Sequence, residues 1–91
     1  MTIYKELIPT ATNIVHTIKL NGNLIAIEKQ YNMFVAYFEY NPATEYTYEI
    51  ILCETGAEIP DRNWSHYNTF MMYGDSYVLH AMVHLKLVEY K

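Results

Sequence analysis

The chain has 91 residues, of which 52% are hydrophobic, so it is expected to fold as one globular domain spanning residues 1–91 rather than to stay disordered. Six Lys/Arg against ten Asp/Glu give a net charge of −4, which disfavours duplex DNA or another long polyanion as a ligand. The single cysteine, Cys53, excludes an intrachain disulfide and fits a reducing cytosol, and no apolar run approaches the ~20 residues that a membrane span requires.

The sequence of the first third of the chain predicts three strands. Residues 1–8 are predicted to form a strand, although its two faces differ little in hydrophobicity. The strand stops at Pro9, because proline cannot donate a backbone hydrogen bond to a sheet. Residues 13–20 alternate apolar and polar side chains and predict a second strand. Asn21-Gly22-Asn23 is a strong signal for a tight turn, so residues 23–31 are predicted to return beside the second strand as a hairpin.

The middle of the chain predicts another hairpin. Residues 33–40 are rich in β-branched and aromatic side chains, as in a strand covered on both faces. A turn at residues 41–44 is predicted to join them to residues 45–54, where Tyr46 and Tyr48 fall on one face.

The last third contains an ambiguous segment. Residues 64–73 alternate as in a strand, and Gly74-Asp75 predicts a tight turn. Residues 76–90 would alternate as a strand, but they could also collect Val78, Met82 and Leu85 on one face of a helix. We favour the strand because no capping box precedes the segment and valine and tyrosine are mediocre helix formers.

The predicted fold class is therefore all-β, or β-rich with one C-terminal helix. Six to seven antiparallel strands joined by short turns predict a small sandwich or a partly closed barrel.

The histidines give no clear metal site. His80 and His84 are four residues apart and could bind zinc together on a helix, but on a strand they would lie roughly 13 Å apart. His16 and His66 have no companions nearby in sequence. Cys53 has no adjacent cation to activate it, so it is expected to be a small buried residue and not a nucleophile. No catalytic or cofactor motif is present, so we expect no enzyme activity, no cofactor and no metal.

The segment 53–70 concentrates scarce residue types, including the only arginine and the only tryptophan. Glycine and proline fix its path while the side chains between them face outward. Arg62 is predicted to contact a phosphate, Trp64 and Tyr67 to stack on bases, and the amides near Gly56 to add donors. The predicted ligand-binding residues are Thr55, Gly56, Arg62, Asn63, Trp64, Tyr67 and Tyr73.

The same segment has a purely structural alternative. In that interpretation it connects two strands, Trp64 covers one end of the core, and Arg62 pairs with Asp61, Glu58 or another acid.

Short motifs along the chain resemble those of a family of very short phage-encoded domains of unknown function. They are an opening Ile3 to Lys5, a central T-G-x-x-I-P from Thr55 to Pro60, a Y-x-T-F from Tyr67 to Phe70, and a closing V-L-H-x-M from Val78 to Met82. Residues 23–42 keep only the hydrophobic pattern together with Gln30 and Pro42.

The resemblance implies a bacteriophage protein that acts in the cytoplasm of the infected host. Counter-defence sponges of phages sequester the cyclic nucleotides that signal infection in CBASS-like systems, and this chain is similar to them in size and aromatic content. We therefore expect a homo-oligomer that sequesters a cyclic dinucleotide or related small anionic nucleotide without cleaving it. Two alternatives are a module that inhibits a host protein by strand addition or through an aromatic patch, and a virion accessory protein.

Overall fold

The computed structural model describes residues 1–74 and 76–91, and these contain strands and no helix. The strands are β1 (Ile3–Ile8), β2 (His16–Leu20), β3 (Gly22–Gln30), β4 (Met33–Tyr40), β5 (Thr44–Glu54), β6 (Ser65–Met72) and β7 (Tyr77–Tyr90). The described residues therefore also contain no helix that could cross a membrane.

The strands form two antiparallel sheets. Sheet A has the order β1-β4-β3, and sheet B has the order β2-β5-β7-β6. The prediction of an all-β antiparallel sandwich is confirmed, whereas a partly closed barrel is not formed because the two sheets remain separate. The alternative of a C-terminal helix is wrong, since β7 pairs along its length with β5 and along its first half with β6.

The core lies between the sheets and follows the alternation of the strands. Phe34 of sheet A and Phe70 of sheet B meet edge to face with ring centroids 4.9 Å apart. The remaining buried members are Ile8, Leu20, Leu24, Ile27, Ala36, Phe38, Tyr48, Ile50, Leu52, Leu79, Ala81 and Val83.

Tyr48 also joins the sheets through its hydroxyl. The oxygen accepts the backbone N–H of Leu24 at 2.9 Å, and the hydroxyl donates to Oδ1 of Asn23 at 3.1 Å. Burial raises the pKa of the Tyr48 phenol, partly offset by the N–H of Leu24. A buried hydroxyl with both partners in place fixes the position of β3 over β5.

Both predicted long hairpins are wrong, although the strands themselves are present. β2 pairs with β5, and β3 pairs with β4, so Asn21-Gly22-Asn23 connects the two sheets instead of turning within one. Likewise β4 and β5 lie in different sheets, so no tyrosines face each other across a β4–β5 hairpin. The predicted turn at Gly74-Asp75 falls where β6 and β7 pair as a hairpin, but Asp75 lies outside the described residues.

Gly22 is required by a close approach of two backbones. It has φ +144°, and a Cβ at this position would collide with the backbone carbonyl of Glu39 on β4. The signal that predicted a turn therefore reflects a contact that only glycine allows.

The connection between β5 and β6 lies over the face of sheet B that is turned away from sheet A, which we call the outer face. Arg62 of this connection bonds Glu49 of β5, and Trp64 contacts His84 of β7. Glu49, although charged, is buried on this face, as is Cys53, whose thiol pKa burial raises. The predicted burial of Cys53 is confirmed.

Candidate functional site

Four hydrogen-bonded side chains cross the outer face of sheet B, and we call them the Thr–His chain. Thr55 Oγ1 lies 2.8 Å from Nε2 of His80, and Nδ1 of His80 lies 3.1 Å from Oγ1 of Thr69. Thr69 Oγ1 is also 2.7 Å from Nε2 of His66. The two imidazole rings are 5.8 Å apart.

Strand pairing brings these residues together. Thr69 of β6 lies directly opposite His80 of β7, and His80 lies opposite Cys53 of β5, two residues before Thr55. Leu79 and Ala81 point into the core, so His80 between them must point to the outer face. Three of the short motifs in the sequence therefore meet at one place, because each supplies one member: Thr55, Thr69 or His80.

The Thr–His chain can run its hydrogen bonds in either direction. A neutral imidazole has one N–H donor and one acceptor nitrogen, and a hydroxyl both donates and accepts. If Thr55 donates to His80, the Thr55 oxygen can accept from a ligand. If His80 donates to Thr55 instead, the Thr55 hydroxyl is free to donate outward.

A cleft of about 280 Å³ opens beside Thr55 at this end of sheet B. We call it the end cleft, and it is lined by Glu54, Thr55, Ser76, Tyr77 and Val78.

Tyr77 and Glu54 line the end cleft, and a second aromatic ring, that of Tyr73, lies beside Tyr77. The Tyr77 hydroxyl donates to Oε1 of Glu54 at 2.6 Å, and this bond is the main reason why the pKa of Tyr77 is raised. The ring of Tyr73 lies 6.0 Å from that of Tyr77 and is 80% exposed. The wall therefore offers flat faces for stacking next to a hydrogen-bond acceptor.

Gly56 directly follows Thr55, which lines the end cleft. The N–H of Ala57 donates to the carbonyl of Glu54 at 3.1 Å, and Gly56 has φ +84°, the pattern of a type II turn with glycine at its third position. Among residues 1–74 and 76–91, no atom beyond its chain neighbours lies within 4 Å of a Cβ placed on Gly56, so a ligand can approach this backbone closely.

Tyr73 has an unusual backbone for a tyrosine. Its φ is +52°, in the left-handed region that costs a bulky residue roughly 1–2 kcal/mol. The carbonyl of Tyr73 accepts the Ser76 hydroxyl at 2.7 Å, which helps to hold this conformation. Strained residues of this kind concentrate at binding sites.

Arg62 fulfils the structural alternative by pairing with an acid, whereas Trp64 lies on the outer face of sheet B and does not cover an end of the core. The Arg62 Nε donates to Oε1 of Glu49 at 2.9 Å, and Nη1 donates to the carbonyl of Asp61 at 2.8 Å. The Trp64 Nε1 donates to the carbonyl of Pro60 at 2.7 Å, and the Trp64 and His84 rings meet in a T-shaped arrangement with centroids 6.1 Å apart. The charge that Arg62 would offer a phosphate is thus largely neutralised by Glu49.

The predicted site residues consequently separate into three groups. Thr55 lines the end cleft, Gly56 follows Thr55 in sequence, and the ring of Tyr73 lies near that of the lining residue Tyr77. Arg62 and Trp64 contact Glu49 and His84, which lie four residues before Cys53 on β5 and four residues after His80 on β7. Exposed Asn63 sits between Arg62 and Trp64 in sequence. The third group is the half-buried Tyr67, which packs against the core and whose pKa burial raises.

Sequence reasoning missed the contribution of His80, Thr69, Glu54 and Tyr77. A cross-strand pairing of residues 64–73 with residues 76–90 about Gly74 could have placed Thr69 beside His80. Within the part of the chain that the structure describes, no three or more histidine, cysteine or acidic side chains cluster as metal ligands would.

Comparison with known proteins identifies the family of the chain. No curated protein and no solved structure matches it. A family model described as "Domain of unknown function (DUF7352)" matches residues 1–89, which is nearly the whole sequence. The chain therefore belongs to the DUF7352 family of domains of unknown function.

Proposed function

We propose that this protein binds a small nucleotide in the end cleft and holds it without cleaving it. The observation that carries the proposal is that Thr55 and Tyr77, from stretches that are distant in sequence, line one opening. Gly56 follows Thr55 in the chain, and the ring of Tyr73 lies 6.0 Å from that of Tyr77. Aromatic faces stack on any base, and hydroxyl and amide groups bind the polar parts of a nucleotide.

The ligand would bind with its base inside the end cleft. Its base would lie against the rings of Tyr73 and Tyr77, and its phosphate would lie outside the cleft, near the open backbone of Gly56. A phosphate there avoids the carboxylate of Glu54, which lines the cleft itself.

The size of the end cleft favours association of two copies. Ligand pockets usually measure roughly 300–1,000 Å³, and the end cleft, at about 280 Å³, is below that range. One nucleotide half of a cyclic dinucleotide would fill it. We therefore propose a homo-oligomer in which a second copy covers the other half.

At its most specific, the proposal is a phage counter-defence protein. It would sequester a cyclic nucleotide immune signal in the cytoplasm of the infected host, as a sponge does. Support comes from the small size of the chain, its ten tyrosines and the resemblance of its motifs to short phage-encoded domains.

The experiment is a thermal-shift screen of the purified protein against cyclic dinucleotides and trinucleotides. We expect one of them to raise the melting temperature, and we expect the same compound to be recovered intact after the protein is denatured by heat. Recovery of an altered compound would show an enzyme instead, and no shift with any of them would refute nucleotide capture.

Tyr73→Asn tests where the nucleotide binds. Asparagine tolerates the left-handed backbone, so the variant should be more stable by about 0.5–1 kcal/mol while its ligand-induced thermal shift falls sharply. Tyr31→Asn is the matched control, because Tyr31 is also exposed and has φ +57°, but it lies in the β3–β4 turn of sheet A. The control should gain similar stability and keep its full thermal shift.

A second candidate function is inhibition of a host protein by strand addition. β1 is an edge strand of sheet A, and five of its six residues are exposed, including Ile3, Tyr4 and Leu7. An unpaired edge with apolar side chains on both faces could accept an extended segment of another protein.

The second candidate predicts a different response to mutation. Replacing Leu7 by Asp should abolish retention of the host protein and leave nucleotide-induced thermal shifts unchanged, because Leu7 lies on sheet A. Retention of the same partner by this variant would exclude strand addition at β1.

A further inference from the structure

The carboxylate of Glu54 is the most distinctive chemical group of the end cleft. One of its oxygens, Oε1, accepts the Tyr77 hydroxyl at 2.6 Å, which fixes the direction of the side chain. Among residues 1–74 and 76–91, the ion pairs of the acids on β5 involve Glu45 and Glu49 but not Glu54. Glu54 therefore presents an oriented acceptor that forms no ion pair with a lysine or arginine within the described part of the chain.

Such a group discriminates strongly among nucleobases. An ionised carboxylate only accepts hydrogen bonds, and it has two oxygens with two lone pairs each, so the bond from Tyr77 leaves both oxygens able to accept another. The Watson–Crick edge of guanine carries two adjacent donors, N1–H and N2–H, that match a carboxylate. Adenine places an unprotonated ring nitrogen beside its single amino donor, so that nitrogen would face a carboxylate oxygen and repel it.

Thr55 can complete the same edge. The guanine O6 is an acceptor next to N1–H, and it requires a donor from the protein. If Nε2 of His80 donates to Thr55, 2.8 Å away, the Thr55 hydroxyl is left to donate to O6. Glu54 and Thr55 are consecutive residues that line one cleft, so together they present two acceptors and one donor.

We infer that the end cleft is selective for guanine, with Glu54 accepting N1–H and N2–H and Thr55 donating to O6. The inference rests on the proposed nucleotide binding and names the ligand more closely: a guanine-containing cyclic nucleotide. The rings of Tyr77 and Tyr73 would stack on the base but would not distinguish one purine from the other.

The test compares cyclic di-GMP with cyclic di-AMP by isothermal titration calorimetry. For the wild-type protein we expect cyclic di-GMP to bind about tenfold or more tightly than cyclic di-AMP, since a good bidentate pair discriminates by roughly that factor. Glu54→Gln should reverse the preference, because an amide has one acceptor and one donor and so matches the N6 amino group and N1 of adenine. The amide oxygen of this variant would still accept the Tyr77 hydroxyl, so the fold should be retained.

Glu58→Gln is the control. Glu58 is exposed in the connection between β5 and β6, four residues after Glu54. Its replacement changes the net charge by the same amount as Glu54→Gln, and Glu58 does not line the end cleft. This variant should keep the wild-type preference.

Each unexpected result has a defined meaning. Equal wild-type affinities for the two compounds would overturn guanine selectivity and leave nucleotide binding standing. A Glu54→Gln variant that still prefers cyclic di-GMP would overturn the role of Glu54. If the wild-type protein binds neither of these compounds nor any cyclic nucleotide of the thermal-shift screen, both this inference and the proposed function are refuted.

Discussion

At the scale of single residues, Arg62 is the clearest case of a functional expectation replaced by a structural role. Its partner Glu49 is buried, with a side chain 11% exposed, while the Arg62 side chain is 38% exposed. Arg62→Ala would leave a carboxylate unpaired beneath the β5–β6 connection. We expect the free energy of unfolding, measured in urea, to fall by about 1–3 kcal/mol.

A second substitution separates this pairing from ligand binding. Glu49→Gln added to Arg62→Ala removes the unpaired charge and should restore part of the lost stability. Both variants should keep the thermal shift given by cyclic nucleotides, because neither residue lines the end cleft. Loss of that shift in a folded Arg62→Ala variant would mean that Arg62 contacts the ligand after all.

Why could the exposed turn at Thr55 and Gly56 be predicted from the sequence, whereas the identity of the acid that pairs with Arg62 could not? Gly56 and the extended path imposed by Pro60 indicate an exposed turn from local sequence alone, so the start of the segment 53–70 could be predicted. The partner of Arg62 comes from β5, thirteen residues earlier, and depends on how the connection lies over sheet B. The same limit hid the Thr–His chain, since its members meet only through the pairing of three strands.

At the scale of elements, Gly22 determines how closely the start of β3 lies against the end of β4. We expect Gly22→Ala to destabilise the protein by on the order of 3 kcal/mol or more, because the added carbon would collide with the backbone of Glu39. Neither β3 nor β4 can move away without breaking hydrogen bonds of sheet A. Urea unfolding followed by circular dichroism measures this loss. A change below ~1 kcal/mol would contradict the close approach described above.

Gly56→Ala is the matched control for Gly22. Gly56 also has a positive φ, +84°, but open space surrounds it, so alanine there should cost only about 1 kcal/mol. The difference between the two variants isolates the steric contact from the backbone preference.

The positions of the strands could be predicted from the alternation of apolar and polar side chains. The errors were in the pairing, since β2 was predicted to pair with β3 and β4 with β5. Residues 33–40 were predicted with the bounds that β4 has, and the long final strand was favoured over a helix. Asn21-Gly22-Asn23, however, looks the same whether it closes a hairpin or carries the chain from one sheet to the other. Pairing of β2 with β5 is set by burial against the core across 25 or more residues of chain, which local turn chemistry does not encode.

At the scale of the whole molecule, buried tyrosines predict a loss of stability in alkali. Burial raises the pKa of Tyr48 and Tyr67 above 10, so the folded state holds these protons more tightly than the unfolded chain. Their contribution is fully present below about pH 10 and is lost as the pH rises through the folded pKa values. The free energy of unfolding should therefore be level near pH 8 and fall above about pH 10.

A Tyr48→Phe variant checks the origin of that fall. It should be less stable at pH 8, because the Leu24 N–H loses its acceptor, and its stability should decline less steeply above pH 10. An equal decline in wild type and variant would assign the effect to other groups.

The central claim, that a nucleotide binds in the end cleft, is tested most directly by titrating ¹⁵N-labelled protein with each cyclic nucleotide and recording amide chemical shifts. The largest changes should fall on Glu54, Thr55, Gly56, Ser76 and Tyr77, with the amides of β1 unchanged. Changes that are confined to β1, or no change with any cyclic nucleotide, would contradict the claim.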